Sequence, residues 1–443
     1  MDVEEYVRKR LAGGESETAI QKSLIDHLIS FKPLKQSYAS SFASAVIEEV
    51  KNTRGLTGDL FTFEPAGVKM GEFGVGSRGK GDFFAHRQIA RIIGKTGASV
   101  GVDEMDDAGA VYANGNYIVC TVDGMHSRLS DYPFLAGFHV TRATLRDVYV
   151  MGAKPIMLFS DIHVADDGDV AKIFDYTAGI TTVGEAMDVP LVTGSTLRIG
   201  GDMVLGSRLT GCVGAVGVAE HLTARKATRP GDVLLMSEGA GGGTIATAAI
   251  YSGFPEVVEH TINLNFLIAC EVLMKNDIFS SIHAMTDVTN GGLRGDAFEM
   301  AETAGCRIVI DDSAIGGLVE PHVMAMLETL QIDYLGVSLD SLLVVAPPHA
   351  ANEICRIVGS SGVAMHRVGY VEEGKPESVL STNGVERDFS PRFRESAYTP
   401  VKKVVDTEMR DFDEMKEGVL HASQSAIQKK LRVLAKLKKK TGI

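Results

Sequence analysis

The chain has 443 residues, 45% hydrophobic and 23% charged, which is enough apolar material for more than one packed domain and excludes a disordered or fibrous polypeptide. Lysine and arginine number 44 against 57 aspartates and glutamates, a formal charge of -13 that disfavours a nucleic-acid partner. The five cysteines form no Cys-x-x-Cys pair and read as buried small hydrophobes in a reducing compartment. No leader-like segment follows Met1 and no apolar run approaches the roughly 18 residues that span a bilayer, so the expectation is a cytoplasmic protein without a membrane partner.

In chain order, the first sixty residues carry apolar positions at helical spacing: Val3, Tyr6, Val7, Ile20, Leu24, Leu28, Phe42, Val46, Ile47 and Val50. From about residue 65 glycine-rich loops alternate with short apolar runs, and strands are expected at 117–122, 189–193, 233–236, 307–310 and 342–346. Helices are expected at 133–151, closed by Gly152 and Pro155, at 169–187 and at 320–330. The turn Arg229-Pro-Gly-Asp232 marks a boundary, and beyond about 376 the pattern becomes polar and ends in a basic amphipathic stretch at 429–440. The resulting division is a helical extension over 1–62, domains over 63–228 and 229–376, and a tail over 377–443.

Chemistry is concentrated in acidic and glycine-rich segments. Asp103-Glu-Met-Asp-Asp107 packs four acidic groups together, Asp123 ends an expected strand, and Asp147 lies in a helical run. Hard oxygen ligands of this kind suit Mg2+ beside phosphate, the alternative being a solvated acidic loop. Gly74-Val-Gly-Ser-Arg-Gly-Lys-Gly81 offers backbone amides with Arg78 and Lys80, which fits a polyphosphate cradle. It also approaches a Walker A loop, but Gly81 replaces the Ser or Thr and no apolar strand precedes it; plain flexibility is the third reading. Two more glycine clusters, Glu238 to Thr244 and Thr286 to Leu293, open expected helices, where N-termini attract anions. No nucleophile elbow, His-Glu-x-x-His or paired catalytic cysteine is present; His126 and His139 are the two histidines near the acidic residues.

Taken in order, these pieces resemble the PurM-like superfamily of ATP-dependent enzymes, which includes aminoimidazole ribonucleotide synthetase, thiamine-monophosphate kinase, selenophosphate synthetase and the hydrogenase-maturation dehydratase. Asp106-Asp107-Ala108 is similar to the family's acidic pair, with Met105 in place of a glycine. Thr121-Val-Asp123 resembles its Thr-Thr-Asp, Arg146-Asp147-Val148 with Met151-Gly-Ala-Lys-Pro155 its Asn-Asp helix, Thr286 to Leu293 its Asp-x-Thr-x-Gly-Gly-Leu, and Leu335 to Leu343 its later glycine-rich stretch. The resemblance spans about 70–375 and is nearest to selenophosphate synthetase-related proteins of unassigned function.

What it implies is an α/β (α+β) chain of two domains: an N-terminal sheet domain that forms a barrel shared in a homodimer, and a C-terminal α/β sandwich domain, here with a helical N-terminal extension. ATP lies between the domains, its phosphates held through Mg2+ by Asp106, Asp107, Asp123 and Asp147. Gly76, Gly79, Thr121, Gly194, Ser195, Thr196, Asp287, Thr289, Gly291 and Gly292 are the implied cofactor-binding positions, with Arg78 and Lys80 offsetting charge from a mobile loop. Three departures stand out. Thr193-Gly-Ser195 replaces Gly-Gly-Asp, the loop holds Ser77 rather than a cysteine, and residues 440–443 lack the cysteine of the hydrogenase-maturation enzyme. The expected activity is Mg2+-dependent phosphoryl transfer from ATP to an oxygen of a small metabolite; the alternative is a catalytically weakened nucleotide sensor.

Overall fold

The computed structural model describes residues 2–441 apart from 78, 200–205, 290, 396–397 and 406–409. Its first elements are the three expected helices. Asp2 caps α1 (Val3–Ala12) and Ser16 caps α2 (Glu17–Phe31), each side chain accepting an amide of the first turn, and α3 (Gln36–Thr53) follows. Their apolar stripes close a small core of their own, with Val3, Val7, Ile20, Leu24, Leu28, Val46, Ile47 and Val50 all buried. Lys32 reaches Asp167 at 2.6 Å and ties this bundle to the next unit.

After α4 (Met70–Phe73) and α5 (Lys80–Ile93) come β1 (Gly109–Ala113) and β2 (Asn116–Gly124), then α6 (Pro133–Val150), β3 (Lys154–Val164), α7 (Ala171–Ala186), β4 (Leu191–Arg198) and β5 (Leu209–Ala219). The strands form a sheet of order β1-β2-β5-β3-β4 in which β3 and β4 alone run parallel. One face packs on α6 and α7 through Val119, Leu158, Val213 and Ala215. The other carries exposed apolar side chains such as Val122 and Ile156, and the edge strand β4 is exposed along nearly its whole length.

The second unit adds β6 (Val233–Ser237), α8 (Gly243–Ser252), α9 (Asn265–Met274), β7 (Ala284–Val288), α10 (Gly292–Ala304), β8 (Arg307–Asp311), α11 (Pro321–Thr329), β9 (Ser341–Ala346), α12 (Pro348–Ser360), β10 (Met365–Glu372), β11 (Glu377–Thr382) and β12 (Val385–Asp388). The sheet order is β12-β11-β8-β10-β6-β9-β7. Its central strands are apolar on both faces because both are covered. Val233 and Leu235 join α9, α12 and the core of the first unit, whereas Leu234 and Met236 face α8, α10 and α11. The sheet therefore runs past 376, into sequence expected to be tail.

Two expectations about apolar character need correction. One stretch, Pro255–Met274, is 20 residues long and apolar enough to cross a bilayer by length and composition. It folds as a short helical segment, Pro255–Thr261, followed by α9, whose Phe266, Leu267, Cys270 and Leu273 lie in the core. Of the cysteines, Cys270 and Cys306 are buried, but Cys120 is exposed on the open face of β2 and Cys212 and Cys355 are half-buried. The chain closes with α13 (Pro400–Val405) and α14 (Phe412–Thr441), the second of which packs along α5. Part of the basic stretch is used internally: Lys430 Nζ donates to the last carbonyls of α5, Ile92 and Ile93, at 2.6 and 2.9 Å, and Arg432 holds Asp59 at 2.6 Å.

Candidate functional site

A cavity of about 590 Å3 opens where β2 and α6 of the first unit meet the glycine turns of the second. That volume suits a small-molecule or cofactor ligand. Asp106 and Asp107 reach it from the loop before β1, Thr121 and Asp123 from β2, Asp147 from α6, and Asp287 and Thr289 from the end of β7; Gly76 borders it. Alternation along β2 puts Thr121 and Asp123 on the same face, and the helical turn of α6 sets Asp147 behind them, where its carboxylate accepts the Thr121 hydroxyl at 3.1 Å.

The carboxylates feel one another. Asp147 is pushed well above the ordinary aspartate range, first by burial and then by the like charges of Asp123 and Asp287. Asp106 is raised too, chiefly by burial and against the pull of Arg225. All donors in the group are oxygens, the set that hard cations take, so Mg2+ fits the residues present.

Three buried arginines hold this acidic wall together. Arg225 is fully buried and bonds Asp107 at 2.6 Å, Glu299 at 3.0 Å, the Thr286 hydroxyl at 2.7 Å and the Met105 carbonyl at 2.9 Å, while its amide donates to Asp106 at 3.0 Å. Burial works against its charge, but Asp107, Glu299, Asp106 and Asp296 raise it well above the usual guanidinium value. Met105, the residue standing where the resembled family has glycine, sits in the left-handed region at φ 55° and is held there through that carbonyl bond.

Arg142 and Arg146 come from α6. Arg146 meets Asp287 at 2.5 Å and also bonds Asp340, which pairs with Arg142 as well. Arg142 further donates to the carbonyls of Thr261, Asn263 and Gly241 at 2.7, 2.7 and 2.8 Å. Burial and the neighbouring Arg146 bring Arg142 down to about 9, and its guanidinium pairs with the buried Asp340. His126 and His139 line the same cavity, and both are neutral at physiological pH: burial, Lys402 and Arg128 bring His126 down to about 4, and burial with Arg142 holds His139 well below its usual value. His139 Nδ1 has no hydrogen-bond partner among the described residues.

Not every expected position converges here. Gly194, Ser195 and Thr196 lie on the exposed edge strand β4, paired with Ser160, Asp161 and Ile162, and do not line the cavity. The Ser195 departure therefore removes no carboxylate from this wall. Gly79 and Lys80 open α5; the Lys80 side chain is exposed and is absent from the cavity lining. The end of the loop is packed against a distant segment: the Lys80 amide donates to the Arg392 carbonyl at 3.0 Å, and any side chain at Gly79 would strike the Phe393 carbonyl. Arg78 lies outside the described residues. Gly291 lines a smaller adjoining cavity of about 170 Å3, and Gly292 starts α10 at φ 62°, pressed against the 335–337 backbone where no side chain fits. Sequence reasoning did not single out Arg142, Arg225, Asp296, Glu299 or Asp340.

This arrangement of two units has counterparts. Residues 105–219 match the model of the AIR synthase related protein N-terminal domain and 229–381 that of its C-terminal domain. Over 99% of both chains the protein is 50% identical to an uncharacterised protein of Methanocaldococcus jannaschii. It is also 30% identical to a selenide, water dikinase of Myxococcus xanthus over 52% of this chain and 64% of that one. A solved structure described as hydrogenase maturation protein HypE in complex with ATP superposes with a TM-score of 0.53 at 19% identity, over 65% of this chain and 88% of the other, which shows a shared fold. The chain belongs to the AIR synthase related family and has its two-domain, PurM-like architecture.

Proposed function

We propose that the protein is a Mg2+-dependent enzyme that uses ATP to phosphorylate an oxygen of a small metabolite. The observation that carries this reading is the convergence of Asp106, Asp107, Asp123, Asp147 and Asp287 on one cavity, with Asp147 raised by burial and by its acidic neighbours. Such a group is costly in water-poor surroundings and becomes favourable when a divalent cation binds beside phosphate. Bound there, Mg2+ would neutralise phosphate charge. Arg142 and Arg146, rather than the exposed Lys80, are the cations in the wall, and through Asp340 and Asp287 they fix the carboxylates that face the ligand. His139 Nδ1, with no partner among the described residues, would receive or supply a hydrogen bond to the ligand. The relatives named as a dikinase and as an ATP complex support the nucleotide, and the phosphoryl acceptor belongs in the space beside the phosphates.

Titration calorimetry tests the central step. ATP is expected to bind with Mg2+ present and to lose at least about tenfold in affinity in chelator or in Asp123→Asn, since one hard ligand is gone while the shape stays. Equal affinity with and without Mg2+ would return the acidic group to a solvated role.

The same reading includes a homodimer through the first sheet. Val122, Val192 and Leu197 are more than half exposed on β2 and β4, and an exposed edge strand with apolar side chains is a surface that chains cover by pairing. Light scattering is expected to give twice the chain mass at micromolar concentration, and Val122→Glu to shift it toward monomer. A wild-type monomer would refute this assembly.

A further inference from the structure

Away from the carboxylate cavity, two histidines and a glutamate from separate segments meet. His260 lies in the helical segment Pro255–Thr261, and His322 is the second residue of α11, whose N-cap is Glu320. Glu320 Oε1 is 2.8 Å from His322 Nδ1 and 3.1 Å from His260 Nδ1, while Oε2 accepts the Val323 amide at 2.8 Å. The two rings are nearly parallel, 4.1 Å between centroids and 21° apart. The three donor atoms thus lie within 4.8 Å of one another.

The geometry points to a metal site: we propose that His260 Nδ1, His322 Nδ1 and Glu320 Oε1 bind a first-row divalent ion, Zn2+ by donor type, with a fourth position open. Metal–ligand distances of about 2.0–2.1 Å in a tetrahedron place neighbouring donors about 3.3 Å apart, close to the spacings found here. Mixed imidazole and carboxylate donors distinguish the site from the carboxylate group of the larger cavity. Glu320 is already oriented, because its Oε2 accepts the Val323 amide at the start of α11 and leaves Oε1 facing the two imidazoles. His322 is mostly exposed and leaves an entry path.

The site also lies behind the cavity wall. The Glu320 amide donates to the Gly239 carbonyl and the Gly239 amide to the Leu318 carbonyl, each at 2.9 Å, which anchors the glycine turn that opens α8. Thr261, next to His260, accepts Arg142. An ion here would pin two segments that support the turn and Arg142, independently of whether the cavity takes ATP.

The test is calorimetry of Zn2+ into metal-stripped full-length protein, with the visible spectrum of bound Co2+ reporting tetrahedral geometry. Wild type is expected to show one equivalent that His260→Ala and His322→Ala lose or weaken by at least about 100-fold, the upper range for even an outer-sphere change. Glu320→Gln keeps an oxygen for the Val323 amide and so preserves the helix cap, yet is expected to weaken binding as well. Asp123→Asn should retain this equivalent, which separates it from the cavity. Zn2+ binding unchanged in both histidine variants, or in Glu320→Gln, overturns the proposal, as does a wild-type protein that binds no equivalent.

Discussion

Asp147→Asn is expected to raise the melting temperature of the metal-free protein at neutral pH while abolishing its Mg2+-dependent nucleotide binding. In the folded chain Asp147 holds its proton more tightly than an exposed aspartate does, because burial and the charges of Asp123 and Asp287 oppose ionisation. Its folded value thus lies above its unfolded one, so its contribution to stability is present below about pH 4 and is lost as pH rises through the folded value. Asparagine has no proton to lose and its oxygen still accepts the Thr121 hydroxyl. A gain of about 0.5–2 kcal/mol follows, typical of relieving a strained functional site. Thermal melts of both proteins at pH 7.5 and pH 4 decide the point: the gap should close at the acid end. A variant that melts lower than wild type at pH 7.5 would mean that the charged carboxylate is already well compensated.

Arg225→Ala should have the opposite and larger effect. It leaves Asp107, Asp296 and Glu299 buried around a missing cation, and breaking a buried ion pair from one side costs about 3–5 kcal/mol. It also releases the Met105 carbonyl, and with it the left-handed turn that aims Asp106 and Asp107. Denaturant melts should show the loss shrinking as pH falls from 7.5 to 5, because protonation of the stranded carboxylates relieves the unbalanced charge. A pH-independent loss would assign the effect to packing instead.

Much of this architecture is legible from local pattern. Val3, Val7, Ile20, Leu24 and Leu28 recur at helical spacing, and 233–236 and 342–346 are apolar on both faces because helices cover both faces of their sheet. Among the strands that escaped notice, β3 and β5 have diluted patterns for structural reasons. Asp161 and His163 interrupt β3 on its open face, and Gly211, Gly214 and Gly217 interrupt β5 where neighbours press close; the Phe159 ring lies over Gly214. β11 and β12 are short, with β11 added to the sheet by pairing to β8 and the polar β12 by pairing to β11.

The site divides along the same line. Asp106, Asp107, Asp123, Asp147 and Asp287 stand in short motifs and are visible one at a time. Their pairings are not, since Arg225 meets Asp107 across 118 residues and Arg146, although it stands in a motif, meets Asp287 across 141, and nothing local distinguishes Arg225 from a surface arginine. Lys80 shows the converse: its glycine neighbours suggest a swinging loop, yet a distant segment, around Arg392, holds it down.

That distant segment bears on how the molecule is made. Arg394 bonds the Glu72 carbonyl, 322 residues earlier, the Arg392 carbonyl takes the Lys80 amide, and α14 lies along α5. During synthesis the region from α4 to α5 leaves the ribosome long before its packing partners exist. The bundle of α1 to α3 has a core of its own and the first sheet packs on α6 and α7, but the rim of the cavity that includes Gly76 waits for Arg392, Arg394 and α14. A nascent chain stalled before that segment would therefore carry a carboxylate wall beside an unsupported rim, and the pocket would be completed only once Arg392, Arg394 and α14 have emerged.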